Sequence, residues 1–370
     1  MDNNTFPDSM NLHTQSINPI VSFIRTIYRK LIPKNIREKL WQNIYRKKQR
    51  KFNINFSKRL LKLTQYYQEL ILYMEKNVEF LIDEEIALIP LLRNNNLTIT
   101  EKLFKKWELL RFLETGRRNS ERENIIKYLQ KNPTAMLPYD FIKKYDYSNV
   151  VVFCDNGNKY VIHEKKRLYF PRSWEDEKIK IYYNIYTQEQ DADSPHRYES
   201  DIVHVNTGDV VVDIGASEGF FALSVIDKAK KVYLFECDEI WNEPQKMTFA
   251  PYKDKVVIVN KYVSNNINKN NITLDQFFEG QEVNFIKADI EGAELDALKG
   301  GHNLFTSNKN IKIVFCTYHN NNDAKNIKKI LRKDNFHVEF SKGYIISVWE
   351  KSFVIRKGII RGYKKNKSLI

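Results

Sequence analysis

The C-terminal half of the sequence predicts an α/β fold with a doubly wound, mostly parallel sheet of seven strands. From Asp209 onward, short apolar runs alternate with helical segments. These runs lack the apolar–polar alternation of a half-exposed strand, which indicates strands that helices bury on both faces. The first run also enters a glycine-bearing turn before a helix, as is typical of such sheets.

The expected strands are short and separated by one helix or loop each. The strands are VVVDIG, KVYLFEC, VVIVNKYVS, VNFIKADI and IKIVFCTYH, followed by HVEFSK and YIISVWE as a terminal hairpin. FFALSVIDKA and DAKNIKKILRKDN are predicted helices between them. We therefore expect the carboxyl ends of the parallel strands to meet at one edge of the sheet.

A helical N-terminal region and a β-hairpin are predicted to precede this sheet. Residues 55–131 contain several helical segments, among them EKLFKKWELLRFLE and ERENIIKYLQK. NVVVFCDNGNKYVIHEKKRLYFP predicts the hairpin, with DNGN as its turn. Ser173 is expected to cap a helix that starts SWEDEK, because acidic residues fill its first turn.

The net charge of +14 is concentrated at the two ends of the chain. Residues 21–51 carry a net charge of +10 and residues 351–370 a net charge of +7, so the rest is slightly acidic. This distribution disfavours a nucleic-acid partner, which would need the positive charge on the catalytic face. The basic segment at 21–51 has apolar residues at helical spacing. It predicts a helix that contacts an anionic membrane surface peripherally, or one that packs its apolar stripe on the protein.

The three cysteines are too widely separated to predict a disulfide framework or a structural zinc site. No metal ligands are predicted, and a reducing cytoplasm is the expected location, with the cytoplasmic face of a membrane as the alternative. No apolar run of about 20 residues is present that would span a bilayer. The oligomeric state is not predicted.

The segment VVVDIGASEGFFALS has the features of a cofactor-binding loop. Gly215 allows close approach of the backbone to a ligand, and Gly219 allows close packing of the following helix. Asp213 can accept hydrogen bonds from an ammonium group, while the start of the helix suits a carboxylate. On the next strand, Glu236 can accept hydrogen bonds from the two hydroxyls of a ribose.

The loop favours S-adenosylmethionine over a dinucleotide as the cofactor. The dinucleotide pattern G-x-G-x-x-G requires a second glycine, where this chain has Ser217. The ammonium and carboxylate groups of the methionine part would match the acid and the helix start described above.

Further polar residues follow the later strands. FIKADIEGAELDALKGG supplies Asp289, Glu291 and Glu294, and His319 ends the strand IKIVFCTYH. A neutral imidazole at this edge can take a proton from a hydroxyl, although a solvated or helix-capping histidine has the same pattern. Asp323 either orients His319 or caps the next helix.

The loop SPHRY contains two candidate substrate ligands. His196 and Arg197 would contact hydroxyl or phosphate groups of a substrate, or would hold the loop itself.

Over residues 200–320 the chain resembles the FkbM family of methyltransferases, through DIGASEGFFAL, FECD, TLDQF and IKADIEGAELDALKGG. The resemblance implies the class I methyltransferase sheet and S-adenosylmethionine as cofactor, bound by Asp213, Gly215, Gly219 and Glu236. Ser217 belongs to the same loop and stands where the wider class often has glycine. Asp289 and Glu291 would line the centre of the cleft.

The family methylates hydroxyl groups of sugars and other natural products. RLYFPRSW and EQDADSPHRY also resemble members among polysaccharide biosynthesis enzymes. The expected acceptor is thus a small molecule or a glycan. His319 is the first candidate base, with Asp289 or Glu291 as the second, and each would raise the rate by about 10²–10⁴-fold.

Two other enzyme classes remain as alternatives. A nucleic-acid methyltransferase lacks support because ADIEG contains no Asp-Pro-Pro-Tyr-like element. An α/β-hydrolase would use Ser217 in the G-x-S-x-G pattern of GASEG, with Asp289 and His319 in the required chain order. This second alternative leaves Glu236 without a role. A binding module that has kept the fold is a non-enzymatic alternative.

The predicted organisation has five segments. They are a disordered start and basic arm at 1–51, a helical region at 52–145, a hairpin, helix and polar loop at 146–198, the methyltransferase domain at 199–352, and a basic tail at 353–370.

Overall fold

The computed structural model describes residues 99–115, 119–132, 134–349 and 352–364, together with residues 65, 68 and 69. The basic segment at 21–51 lies outside the described residues, so its membrane contact stays a prediction. The chain forms two compact units, Met1–Gly116 with Asn132–Thr134, and Arg117–Lys131 with Ala135–Ile370. No helix among the described residues has the length and apolar character needed to cross a membrane.

In the first unit the described helix is α1, Ile99–Thr115. It includes the predicted segment EKLFKKWELLRFLE. Trp107, Leu110 and Leu113 are buried along it, as expected for an amphipathic helix that packs on a core.

The second unit begins with α2, Ser120–Leu129, which matches the predicted segment ERENIIKYLQK. The predicted hairpin is a three-stranded antiparallel sheet. Its strands are β1 Phe153–Asp155, β2 Asn158–His163 and β3 Lys166–Phe170. A second tight turn, at Glu164 and Lys165, explains the additional strand. Both residues have positive φ, +47° and +68°, like Asn156 and Gly157 in the predicted turn.

Helix α3 spans Asp176–Glu189 and begins later than predicted. Its N-cap is Glu175, so the assignment of Ser173 as the cap is wrong. The acidic first turn is present, however, because Asp176 and Glu177 open the helix.

The main sheet has seven strands in the order β11-β14-β10-β9-β4-β5-β6. They are β4 Val210–Ile214, β5 Lys231–Phe235, β6 Val256–Val259, β9 Phe285–Ala288, β10 Lys312–Cys316, β11 His337–Phe340 and β14 Ile359–Tyr363. The pairs from β10 to β6 are parallel, and β14 is antiparallel to both of its neighbours. The predicted doubly wound, mostly parallel sheet is confirmed.

Helices and smaller strands connect the sheet. The helices are α4 Phe220–Val225, α5 Asn242–Phe249, α6 Leu274–Phe277, α7 Glu294–Gly300, α8 His302–Ser307 and α9 Asp323–Lys333. The short strands form two separate pairs, β7 Tyr262–Val263 with β8 Asn271–Ile272, and β12 Ile345–Trp349 with β13 Ser352–Arg356.

The predicted terminal hairpin of HVEFSK with YIISVWE is wrong. β11 pairs with β14, and β12 pairs with β13. β14 lies within residues 353–370, which were expected to form a basic tail, and its Ile359 and Ile360 are fully buried. Its Arg361 is also buried. The buried guanidinium is satisfied by hydrogen bonds that it donates to the carbonyls of Arg197 and Tyr198.

Successive residues of the central sheet strands enter different hydrophobic clusters. In β4, Val211 belongs to one cluster and Val212 to the other, and in β5 Leu234 and Phe235 divide in the same way. Both faces of the sheet are therefore covered, as the continuous apolar runs predict.

His163, at the end of β2, links the stability of the fold to pH. Its Nε2 lies 2.8 Å from Ser224 Oγ. Burial and the nearby charge of Lys166 lower the pKa of His163 to about 4. Between pH 6.5 and pH 4 the unfolded chain thus binds a proton at His163 that the folded chain does not, so acid favours unfolding.

We expect the wild type to lose about 2 kcal/mol of unfolding free energy relative to His163→Gln when the pH falls from 7.5 to 4.5. Urea unfolding of both proteins at both pH values measures this difference. Equal pH dependence of the two proteins would contradict the assignment of a depressed pKa to His163.

Candidate active site

The polar residues predicted from the sequence meet at the carboxyl edge of the parallel strands. The loop of residues 215–219 follows β4, Glu236 follows β5, Asp289 follows β9, and His319 lies three residues after β10. In an open α/β sheet, ligands bind outside this edge.

Gly215 is required by the close approach of two strand ends. Its φ is +74°, and a Cβ atom at this position would lie 1.8 Å from the carbonyl oxygen of Asp289. Gly219 has a φ of +91°, and a Cβ there would lie 2.5 Å from the ring of Phe249. The absence of a side chain thus lets Gly215 lie against the residues after β9 and lets Gly219 lie against Phe249 of α5.

Glu236 fixes the loop to the end of β5. One carboxylate oxygen accepts from the backbone N–H of Ser217 at 2.8 Å, and the other accepts from the N–H of Asp238 at 2.8 Å. Each carboxylate oxygen can accept a further hydrogen bond. Contact of Glu236 with a ribose stays a prediction, and the structure places the side chain beside the loop as that role requires.

Asp213 has Lys287 as its partner. The carboxylate is completely buried, and Lys287 Nζ lies 2.9 Å from its Oδ1 because the two residues face each other in the β4–β9 register. The same Nζ donates to the carbonyl of Gly215 at 2.8 Å. Burial raises the pKa of Asp213, and the charge of Lys287 opposes this. Asp213 therefore supports the loop through Lys287.

Glu218 occupies the start of the following helix. Helix α4 has six residues, fewer than the predicted FFALSVIDKA, and Glu218 Oε1 accepts from the N–H of Phe220 at 3.3 Å. Burial raises the pKa of Glu218 to about 7. A side-chain hydrogen bond from Tyr186 acts in the opposite direction on this pKa. Asp213 Oδ2 is a buried acceptor without a hydrogen bond from a described residue, beside the ion pair of Oδ1 with Lys287. The ammonium group of S-adenosylmethionine would satisfy such an acceptor.

Asp289 and His319 are brought together with two glutamates. His319 Nε2 lies 3.5 Å from Asp289 Oδ1 and 3.6 Å from Glu291 Oε2. His319 Nδ1 lies 2.7 Å from Oε1 of the fully buried Glu294. Glu294 thus orients the ring. Asp323 accepts from the N–H of Asn320, while Asn322 is the N-cap of α9 and Glu294 bonds the His319 ring, so neither role predicted for Asp323 is seen.

The surrounding carboxylates change the protonation of His319. Burial disfavours its charged form, but the hydrogen bond to Glu294 and the charge of Asp289 raise the pKa of His319 to about 9. Burial also acts on Asp289, whose pKa nevertheless lies well below its usual range because of the charges of His319 and His196. In this arrangement His319 carries a proton at neutral pH, which does not favour the neutral imidazole base expected from the sequence.

His196 lies behind Asp289 and is almost completely buried. Its Nε2 is 2.9 Å from the hydroxyl of Tyr318 and 3.6 Å from Asp289 Oδ2. Burial lowers the pKa of His196 to about 4, so the ring is neutral. Arg197 contributes its carbonyl to Arg361, and among the described residues its guanidinium has no ion-pair partner. The predicted substrate contacts of both residues stay predictions.

The geometry does not support Ser217 as a nucleophile. Within the described parts of the chain, its hydroxyl makes no hydrogen bond to His319, whose ring is held by Glu294. The backbone of Ser217 is used instead, because its N–H donates to Glu236 and its carbonyl accepts from Gln245 at 2.6 Å. This arrangement is a loop anchor and lacks the Ser–His pair of a hydrolase.

Sequence reasoning missed Lys287, Tyr198 and the role of Glu294. Tyr198 donates to Asp289 Oδ2 at 2.7 Å. The signal for Lys287 was present, because a lysine in the middle of a strand buried on both faces requires an anionic partner. No sequence signal pairs Glu294 with His319, since 25 residues separate them.

A sequence comparison covers the later part of the site. Residues 242–338, which include Asp289 and His319 but not the loop of residues 215–219 or Glu236, match the methyltransferase FkbM domain. No curated protein sequence matches this chain.

Solved structures similar to this chain include three from bacteria. The methyltransferase FkbM from Methylobacillus flagellatus KT is 19% identical over 51% of this chain and 54% of its own, with a TM-score of 0.38. A precorrin-6y methyltransferase from Geobacter metallireducens GS-15 is 13% identical over 44% of this chain and 84% of its own, with a TM-score of 0.33.

An rRNA methylase from Streptococcus thermophilus is 12% identical over 44% of this chain and 90% of its own, with a TM-score of 0.32. The chain spans about half the length of the FkbM structure. The match to the methyltransferase FkbM domain covers residues 242–338 of the 370 residues, and over that stretch the chain is similar to this family of domains.

Proposed function

We propose that the protein transfers a methyl group from S-adenosylmethionine to a hydroxyl of a sugar, glycan or related natural product, in polysaccharide biosynthesis. One observation carries the proposal. The cofactor loop lies directly against the residues after β9, so that Gly215 approaches the backbone of Asp289. A cofactor on the loop and an acceptor at Asp289 would thus be neighbours.

S-adenosylmethionine supplies an electrophilic methyl group, and the protein's contribution is to position the acceptor oxygen. Asp289 suits this task because its orientation is fixed. Tyr198 donates a hydrogen bond to its Oδ2, and its Oδ1 faces His319. Of the two carboxylates, Glu291 would receive the hydroxyl proton, because His319 is already protonated in this arrangement and the lowered pKa of Asp289 makes it the weaker base. His319 would then balance the negative charge of the two carboxylates.

The charge of the site favours a neutral acceptor over a nucleic acid. Asp289, Glu291 and Glu294 place three carboxylates around one imidazole, and the side chain of Glu291 is 92% exposed. Carboxylates at the mouth of a cleft repel a phosphate backbone. The nucleic-acid methyltransferase remains the alternative function.

We expect Glu236→Ala to weaken binding of S-adenosylhomocysteine at least about tenfold, through loss of a charge-assisted hydrogen bond. Calorimetric titration of both proteins measures the change. Glu279→Ala, which alters an exposed glutamate outside the site, is the matched control and should bind as the wild type does. Absence of binding to the wild type would overturn the proposed cofactor site.

The acceptor class is tested with a radiolabelled methyl donor. We expect label from S-adenosylmethionine to enter glycan fragments or nucleotide sugars as an O-methyl ether, detected by mass spectrometry after hydrolysis. Transfer into tRNA or rRNA, with glycans unlabelled, would replace the proposal by the nucleic-acid alternative.

A further inference from the structure

The side chain of Glu189, in the last turn of α3, has no cationic partner among the described residues. It is only 15% exposed, and no hydrogen bond from a described residue reaches its carboxylate. The only basic nitrogen in ion-pair range is Nδ1 of His196, 3.9 Å from Oε2. That ring is neutral, because burial lowers the pKa of His196 to about 4. Glu189 is therefore a mostly buried acid whose charge nothing nearby is placed to neutralise.

Glu189 lies between the cofactor loop and Asp289. Tyr186, one turn earlier on α3, donates a hydrogen bond to Glu218 of the loop. On the other side, the His196 ring faces Glu189 through Nδ1, and its Nε2 lies 3.6 Å from Asp289 Oδ2. A methyl group that passes from a cofactor on the loop to an acceptor at Asp289 must cross the same region.

A second polar atom beside Glu189 also lacks a partner in the described part of the chain. Nδ1 of His196 is buried and takes part in no hydrogen bond. The ring is held in place, because its Nε2 lies 2.9 Å from the hydroxyl of Tyr318 and its backbone N–H donates to Ser194 Oγ. An orphan buried nitrogen that faces an unpaired acid indicates a place where a bound group completes the contacts.

The charge around Glu189 favours a cationic group there. Burial and the negative charge of Asp289 raise the pKa of Glu189 well above its usual value. Lys287 is near but is paired with Asp213. A cation beside Glu189 would lower this pKa, so its binding would release a proton and would strengthen as the pH rises. The titratable or charged groups that face Glu189 are Glu218 at the start of α4, His196 in the loop after α3, and Lys287, Asp289 and Glu291 on and after β9.

We propose that Glu189 contacts the sulfonium end of S-adenosylmethionine and makes the site prefer the methyl donor to its demethylated product. This role rests on the cofactor site of the proposed function. S-adenosylmethionine carries a positive charge at sulfur that S-adenosylhomocysteine lacks, so an ionised carboxylate beside the sulfur attracts only the donor. Once the methyl group has left, the sulfur is neutral and Glu189 takes up a proton from solvent. The product is then held less tightly than the donor.

Calorimetric titration of the full chain, without a methyl acceptor, tests the proposal. At about pH 8 we expect the wild type to bind S-adenosylmethionine at least about tenfold more tightly than S-adenosylhomocysteine, the size of one charge-assisted contact. In Glu189→Gln the two affinities should differ by less than about threefold. Glu177→Gln is the matched control, because Glu177 is an exposed glutamate of the same helix, and it should keep the wild-type preference.

Proton release is a second reading that a merely structural residue would not change. At about pH 6, binding of S-adenosylmethionine to the wild type should release more protons than binding of S-adenosylhomocysteine. The release is measured from the dependence of the binding enthalpy on the ionisation enthalpy of the buffer. Glu189→Gln should abolish the difference between the two ligands, and Glu177→Gln should retain it.

The outcomes separate this proposal from the proposed function. Equal affinities of the wild type for the two ligands, or a preference for the donor that persists in Glu189→Gln, would overturn the role of Glu189. Binding of S-adenosylhomocysteine would still report the cofactor site and the folding of each variant. Absence of binding of either ligand to the wild type would overturn the cofactor site and this role together. If Glu189→Gln does not fold, the difference in proton release between the two ligands in the wild type decides alone.

Discussion

Gly215→Ala is expected to lower the affinity for S-adenosylhomocysteine more than about a hundredfold, which corresponds to about 2.7 kcal/mol. The added Cβ would lie 1.8 Å from the carbonyl oxygen of Asp289, and the residue has a φ of +74°. A backbone carbonyl cannot rotate away as a side chain does, so the loop must move from the β9 end. Calorimetric titration with S-adenosylhomocysteine measures the loss.

The control for this variant is Gly157→Ala. Gly157 has a similar φ, +77°, but a Cβ there meets nothing within 4 Å. It carries the strain of a left-handed residue, about 1 kcal/mol, without the collision. We expect Gly157→Ala to bind S-adenosylhomocysteine with the affinity of the wild type. If Gly215→Ala binds S-adenosylhomocysteine within about threefold of the wild-type affinity, the contact with Asp289 does not determine the position of the loop.

Lys287→Met is expected to reduce the unfolding free energy by about 3–5 kcal/mol, because it leaves a buried charge without its partner. Asp213 is fully buried and Lys287 Nζ lies 2.9 Å from its Oδ1. The variant also removes the donor to the carbonyl of Gly215. Urea unfolding at pH 7 measures the loss of stability.

A surface pair of the same length is the control for this second variant. Lys299 Nζ lies 2.9 Å from Asp296 Oδ1, with both side chains about half exposed. Lys299→Met should cost less than about 1 kcal/mol. The double variant Asp213→Asn with Lys287→Met should regain part of the stability. Equal losses in Lys287→Met and Lys299→Met would contradict the buried pairing.

The sheet was predictable because its strands are buried on both faces. VVVDI, KVYLF and KIVFC are mostly apolar and lack apolar–polar alternation, and each one forms a strand of the main sheet. The glycines of the loop were predictable for a similar local reason, since positions with positive φ exclude most other residues. Local sequence carries this information.

The side-chain partners within the site were not predictable from local sequence. The pairing of Asp213 with Lys287 depends on the register between β4 and β9. The pairing of His319 with Glu294 depends on where α7 begins beside the end of β10. The same limit explains why β14 was not predicted. Its five residues, IIRGY, are flanked in the sequence by lysines and arginines, which are typical of a solvent-exposed segment. Only the buried partners of Arg361 show why a basic segment enters the sheet.

The position of β14 also bears on how the domain assembles during synthesis. β11 is an edge strand whose sheet neighbour is β14, and β14 also covers the outer edge of β10. A nascent chain leaves the ribosome from its amino end, so β11 emerges before the strand that must separate it from β10. Until residues 359–363 appear, the backbone groups at that edge of β10 are open to other strands. The correct strand order therefore requires that β10 and β11 do not pair with each other before β14 is made. The insertion of β14 between them then completes the sheet.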